Sequence, residues 1–441
     1  MGRADRPRLA ALDVLAAVRE EDAYTNLALP AAIERHRLDP RDAALATELV
    51  SGTTRRRATY DAVLATCSSR PLAKIDPVVL DALRLGAHQL LNMRVPPHAA
   101  ISTSVDLAKA RGKTSASGFV NAVLRKVAAN DLDAWLARVA PDAADAATRH
   151  SHPDWVVEEL RRAVGDAELE ALLVADNATP QVTLVARPGR AERTELPGEP
   201  TPYSPYGVVL TGGNPAGVPA VAEGRAGVQD EGSQLVAVAL AAAAVDGNDR
   251  SWLDLCAGPG GKSALLAGLA AERGAGLVAV ERQHHRSRLV ARALEGADGV
   301  TGVLTADGTA PPLRPGSFDR VLVDAPCTGL GALRRRPEAR WRRTPQDLDT
   351  LVPLQRLLLA AAIELVRPGG AVVYATCSPV LAETGEVVDA TLHARTDATL
   401  EDVASLLADV PDCAGPLPGT AQLWPHRHGT DAMFMALLRR S

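Results

Sequence analysis

Two cysteines stand at the ends of hydrophobic, strand-like runs: Cys327 closes Val323-Asp324-Ala325-Pro326-Cys327, and Cys377 lies in Tyr374-Ala375-Thr376-Cys377-Ser378. The thiolate is the nucleophile, and a free thiol titrates near ~8.5, so reactivity at neutral pH needs a lowered pKa or a neighbouring base. Upstream of both lies a glycine-rich turn, Asp254-Leu255-Cys256-Ala257-Gly258-Pro259-Gly260-Gly261-Lys262-Ser263, which follows a strand-like run and opens a helical one. The combination points to thiol chemistry beside a nucleotide cofactor. A single cysteine is often just a small core residue, and that is the expectation for Cys67 and Cys413, with Cys256 supporting the turn. Two cysteines at strand ends beside the acidic Asp324 make that explanation a poor one.

Those residues are far apart in sequence, so the elements between them must gather them. From about residue 251 the pattern repeats as strand, turn and helix, with short β-rich runs at 252–256, 277–281, 302–306, 320–324 and 371–376. Such alternation predicts a doubly wound, mostly parallel sheet, in which ligands bind beyond the carboxyl ends of the strands. Asp254, Glu281, Asp307, Asp324, Cys327 and Cys377 all fall at or just past strand ends, so one edge of the sheet should collect them.

The front of the chain has a different period. Residues 1–145 show helical spacing and almost no strand signal. Asp76-Pro77 reads as an N-cap and first helical residue, followed on one face by Leu80, Leu83, Ala87 and Leu90. Asp39-Pro40 opens a similar helix that should bury Leu45, Leu49 and Val50. Ser151-His152-Pro153-Asp154-Trp155 marks a boundary, and residues from there to about 225 mix short helices, strands at 182–185 and 207–210, and many Gly and Pro. The expected fold is therefore multidomain: an all-α domain at 1–145, a small α+β linker subdomain at 146–225, and an α/β Rossmann-like domain at 226–441.

Composition narrows the class. A chain of 441 residues should divide into two or three domains, and 46% apolar with 23% charged residues reads as soluble and globular. The longest apolar run, 235–245, is short of the ~18 residues of a membrane span. Residues 1–8 are charged and lack a secretory pattern, so cytoplasm is expected. Five cysteines, with no Cys-x-x-Cys pair and no Cys/His cluster, argue against a disulfide framework and against a metal site. A net charge of −5 gives no global nucleic-acid signature, so any RNA contact must be local. The candidate is Arg334-Arg335-Arg336-Pro337-Glu338-Ala339-Arg340-Trp341-Arg342-Arg343, where a stacking ring is interleaved among arginines. Arg55-Arg56-Arg57 is a second candidate, and His284-His285 should lie on a surface helix.

The glycine-rich turn has look-alikes. Gly261-Lys262-Ser263 matches the end of a Walker phosphate loop, but the first glycine of that pattern falls at Cys256 and Pro259 removes a backbone donor. Gly258 and Gly260 suit a dinucleotide fingerprint, but its third position is Ser263. Glu281 ends the next strand at the right distance to accept from ribose hydroxyls, and Asp307 after the third could hold an adenine edge. S-adenosylmethionine, with adenosine but no pyrophosphate, fits residues Cys256, Ala257, Gly258, Pro259, Gly260, Gly261 and Lys262 with Glu281, Asp307 and Asp324 better than a dinucleotide. A turn that only packs its helix is the alternative.

The glycine-rich segment, the Asp-Ala-Pro-Cys at 324–327 and the Thr-Cys-Ser at 376–378, in this order, resemble the RNA cytosine-5 methyltransferases. The stretches 41–50 and 121–126 resemble the NusB-type RNA-binding domain that precedes some of them. The whole is similar to the bacterial small-subunit ribosomal RNA methyltransferases of the RsmB (Fmu/Sun) type, in which 146–225 would be an RNA-recognition-like subdomain and 228–234 the lead-in to the catalytic domain. The resemblance implies a 16S rRNA substrate and a monomeric enzyme. It also implies that Cys377 adds to carbon 6 of cytosine, that Cys327 assists release, and that Asp324 stabilises charge at N3. The DNA enzymes use the Pro-Cys cysteine instead, which would select Cys327. Three positions depart from the family: Gly258 for a frequent alanine, Glu281 for a frequent aspartate, and Thr384 for the asparagine that often follows the glutamate at Glu383. The same chemistry on transfer RNA or another ribosomal site, and a non-catalytic NusB-like RNA-binding or antitermination factor, are the alternatives.

Overall fold

Two Asp-Pro pairs start helices in the front of the chain, because aspartate accepts from backbone N–H groups left open in the first turn and proline needs none there. Asp39 accepts from Asp42 N at 2.8 Å and opens Pro40–Arg55; Asp76 accepts from Val78 N at 3.0 Å and opens Pro77–Leu91. Leu49, Val50, Leu83 and Ala87 are buried, with Leu45, Leu80 and Leu90 half-buried at the edges of the same faces. With Arg6–Glu20, Arg57–Cys67, Pro97–Ala110 and Ser117–Val127, these helices enclose two cores, one built on Leu12, Leu49 and Leu85, the other on Tyr60, Leu64, Leu83 and Leu124.

This computed structural model describes residues 5–21 and 23–441. It divides into two units: Met1–Glu158 with Arg335–Arg342, which is helical, and Glu159–Arg334 with Arg343–Ser441. After the helix Asp166–Ala175, the second unit forms a small antiparallel sheet of β1 (Thr183–Ala186), β2 (Glu199–Pro200), β3 (Gly207–Val209) and β4 (Ala226–Val228) in the order β2-β3-β1-β4, closed over Leu184, Ala186, Leu196 and Val208.

The larger sheet contains β5 (Ser251–Asp254), β6 (Gly276–Glu281), β7 (Val300–Thr305), β8 (Phe318–Asp324), β9 (Val366–Thr376), β10 (Ala398–Glu401), β11 (Ala421–Gln422) and β12 (Phe434–Arg440). Its order is β10-β12-β9-β8-β5-β6-β7, with β11 on β12. The five strands from β9 to β7 are parallel, as the alternating pattern predicts, while β12 runs antiparallel to β9 and to β10. Helices Glu231–Ala242 and Gly261–Ala271 contribute to one core of the unit, and Asp347–Leu365 and Gly385–Ala394 to the other. Arg320, in the middle of β8, is buried without strain: it forks onto the Asp249 carboxylate at 2.8–3.1 Å, donates to the Leu240 and Ala243 carbonyls, and lies over Trp252, 5.1 Å from the ring centroid.

Candidate active site

Strand register brings the two thiols together. β8 and β9 pair with Asp324 opposite Ala375, so Cys327 and Cys377 leave the sheet side by side, with Sγ atoms 3.5 Å apart. The contact is between two unbridged cysteines. Contact with Cys377, then burial and the Glu383 carboxylate, push the Cys327 thiol well above its ordinary value, so Cys327 keeps its proton.

A buried polar network fixes the residues that follow each cysteine. The Glu383 carboxylate, wholly buried, accepts from Thr328 N at 2.8 Å, Thr328 Oγ1 at 2.5 Å and Gln355 Nε2 at 3.1 Å. Thr328 Oγ1 also lies 3.0 Å from Ser378 Oγ, so the residues just after the two cysteines are tied to one another. Gln355 Nε2 holds the Pro326 carbonyl, and Arg343 donates to the carbonyls of Thr328 and Cys327. Thr384, where the family often has asparagine, spends its hydroxyl on the Val380 carbonyl.

The glycine-rich turn leaves β5 and enters the helix Gly261–Ala271 through Gly260, whose φ of +109° suits glycine. A Cβ there would lie 2.7 Å from the Ala293 Cβ, so this glycine also permits close packing of the next helix. Lys262 turns back to the sheet and donates to Asp324 Oδ2 at 2.8 Å. Burial alone would lower its pKa, but Asp324, with smaller contributions from Cys377 and Asp254, outweighs burial and raises it. Asp254 accepts from Ser263 Oγ at 2.6 Å, and burial, opposed by that hydrogen bond and reinforced by Asp324, pushes its carboxyl up to about 7. Burial likewise pushes Cys256 well up, in keeping with a supporting place in the turn.

Along the same edge, Glu281 ends β6 with a buried carboxylate that accepts from Gln283 N at 2.8 Å and lies 3.7 Å from Arg286 Nε. Arg286 donates its other arm to the Gly258 carbonyl at 2.6 Å. Asp307, past β7, is exposed, and its carboxylate caps its own turn by accepting from Thr309 N and Oγ1. Sequence reasoning found the strand-end residues but missed Arg286, Gln355 and the bracing action of Glu383 and Arg343.

The arginine segment is divided, and for the wholly buried Arg340 the expectation of an RNA contact is corrected. Arg340 is wholly buried in the helical unit and donates to the carbonyls of Arg55 and Ser151, while Trp341 Nε1 donates to Thr54 O at 2.8 Å. Thr54 and Arg55 end the helix Pro40–Arg55, whose last carbonyls lack intrahelical partners, and a guanidinium and an indole N–H supply them. Arg57 stacks over Trp341, 5.5 Å from its centroid, and Arg342 lies over Tyr24 at 4.2 Å. Arg334 is buried against the Gly429 carbonyl, near Asp230 and Asp431. Arg334 and Arg340 are thus built into the protein interior, Trp341 is half-buried, Arg343 braces the Cys327 loop, and Arg335 and Arg336 are exposed. The second cluster is also engaged: Arg55 is buried and Arg56 donates to the Arg149 carbonyl. His284 and His285 are exposed on their helix, and Cys67 and Cys413 are buried core residues.

The model of the 16S rRNA methyltransferases RsmB/F matches residues 241–439, and that of the NusB family matches residues 5–129. A Pseudomonas syringae pv. tomato protein named ribosomal RNA small subunit methyltransferase B is 34% identical over 98% of this chain and 96% of its own. The chain belongs to the RsmB/F family of ribosomal RNA methyltransferases. A Mycobacterium tuberculosis protein named as a methyltransferase is 51% identical, covering 99% of this chain and 97% of its own. Among solved structures, PH0851 shares the fold over 98% of this chain and 99% of its own, with a TM-score of 0.81 at 23% identity. NSun6 from Pyrococcus horikoshii, solved with SFG, shares it over 65% of this chain and 98% of its own, with a TM-score of 0.56 at 17% identity. The all-helical front is the NusB-type domain of this RsmB/F methyltransferase, and the large sheet is its Rossmann-like methyltransferase domain.

Proposed function

We propose that this RsmB/F-family chain methylates carbon 5 of a cytosine in 16S rRNA, with S-adenosylmethionine as methyl donor and a transient bond from Cys377 to carbon 6. The observation that carries it is the pair of thiols 3.5 Å apart at neighbouring strand ends, with the Lys262–Asp324 ion pair on the same edge.

Carbon 5 belongs to an electron-poor ring and does not attack a methyl sulfonium unaided. Addition of the Cys377 thiolate to carbon 6 breaks the aromaticity and makes carbon 5 enamine-like, which divides a difficult step into two easier ones. S-adenosylmethionine, when bound, supplies the electrophilic methyl group. The residues fit it: Lys262 is committed to Asp324 rather than presented to a phosphate, Pro259 removes a phosphate donor from the turn, and the buried Glu281 carboxylate suits ribose hydroxyls. Residues 256–262, Glu281 and Asp307 would hold it, and a fold relative was solved with its analogue SFG. The Lys262–Asp324 pair donates a hydrogen bond toward N3 and stabilises the charge that addition places there. Loss of the carbon 5 proton to a base, with breaking of the carbon 6 to sulfur bond, restores the ring double bond and the Cys377 thiolate, and Cys327 assists that release.

The test is a methyl-transfer assay on deproteinised 16S rRNA with the full chain, read by bisulfite sequencing. A new 5-methylcytosine in 16S rRNA is expected. Methylation of another ring position, of transfer RNA only, or of nothing would overturn the proposal.

A further inference from the structure

Gly258 is not among the glycines with positive φ, so its backbone conformation does not demand glycine. What it contributes is space. A Cβ at 258 would lie 1.9 Å from Glu281 Oε2, 2.9 Å from Glu281 Cδ and 3.0 Å from Arg286 Nε. The volume that any side chain at 258 would need is therefore filled by the carboxylate at the end of β6. Glutamate is one methylene longer than aspartate, and that methylene carries the carboxylate over the turn into this space. Arg286 clasps the arrangement by donating to the Gly258 carbonyl at 2.6 Å while lying 3.7 Å from the Glu281 carboxylate.

We propose that Gly258 and Glu281 are a matched pair, tied by Arg286, that sets where the ribose-binding carboxylate of the cofactor site sits. The inference rests on the S-adenosylmethionine assignment above. An alanine at 258 displaces the Glu281 carboxylate, whereas an aspartate at 281 withdraws it from the same space. Each substitution alone moves an acceptor off the ribose hydroxyls, and the two together restore room and reach in a different but consistent combination.

The experiment is a double-mutant cycle of S-adenosylmethionine affinity on the full chain by calorimetry, with unliganded thermal midpoints measured in parallel to report folding. Gly258→Ala should weaken binding about tenfold or more, the scale of one charge-assisted hydrogen bond, and Glu281→Asp should weaken it severalfold. The double variant Gly258→Ala/Glu281→Asp should bind several times more tightly than Gly258→Ala alone. Losses that simply multiply in the double variant would overturn the pairing, as would an unchanged affinity for Gly258→Ala. Wild-type protein that binds no S-adenosylmethionine would instead remove the cofactor assignment on which the pairing stands. Arg286→Ala supplies a second check that adds no atoms to the turn: it should weaken binding without lowering the unliganded midpoint by more than a few degrees, and unchanged affinity would remove Arg286 from the proposal.

Discussion

Lys262 donates to Asp324 at 2.8 Å across the carboxyl edge of the sheet, joining the first turn of the methyltransferase domain to the strand that leads to Cys327. The same ammonium is attracted to Cys377 when that thiol ionises. Lys262→Met should therefore slow alkylation of Cys377 by iodoacetamide at pH 7.5 about tenfold, since a nearby cation favours the thiolate. Peptide mass mapping of the modified cysteine checks this. Alkylation of Cys377 at the wild-type rate would mean that Lys262 does not influence the thiol.

Glu383 places a wholly buried carboxylate under Thr328, where it accepts from three donors. Glu383→Ala should cost about 2–4 kcal/mol in urea unfolding, because buried donors lose their acceptor and a cavity remains. Glu383→Gln keeps an acceptor oxygen and should cost less than half as much. Equal losses from the two variants would contradict the bracing account.

Asp254 carries a pH dependence of definite sign. Its folded pKa is raised from 3.8 to about 7, chiefly by burial, so the folded state holds this proton more tightly than the unfolded chain does. The resulting stability is full below the ordinary value and is lost as pH rises through about 7. Asp254→Asn still accepts from Ser263 but cannot ionise. Between pH 5 and pH 8, the wild type should lose about 2–3 kcal/mol more than this variant. Parallel losses in denaturant unfolding would show that the carboxyl is not raised.

The parallel half of the sheet was legible because each strand ends in a polar or acidic residue and several are followed by a turn and a helical pattern. The antiparallel strands were not. Phe434–Arg440 alternates neither in sequence nor in burial, since both of its faces are covered for most of its length, and nothing in the run distinguishes it from a buried helix turn. The strand-end rule likewise located Asp324, Glu281 and both cysteines. The network behind them depends on register: Glu383 meets Thr328 across 55 residues of chain, and Gln355 lies in a long helix without a motif of its own. Composition cannot distinguish a guanidinium that meets phosphates from one that caps carbonyls. Arg340 does the second.

The central claim is the division of labour between the two thiols, and the most direct measurement is a denaturing gel of each variant after incubation with cofactor and substrate RNA, either unmodified or containing 5-fluorocytosine. Cys377→Ala cannot form the carbon 6 bond and should show neither methylation nor a shifted protein–RNA band. Cys327→Ala should still attack and transfer, then accumulate a covalent complex with unmodified RNA because release is impaired. A shifted band from Cys377→Ala together with none from Cys327→Ala would contradict the account and make Cys327 the nucleophile.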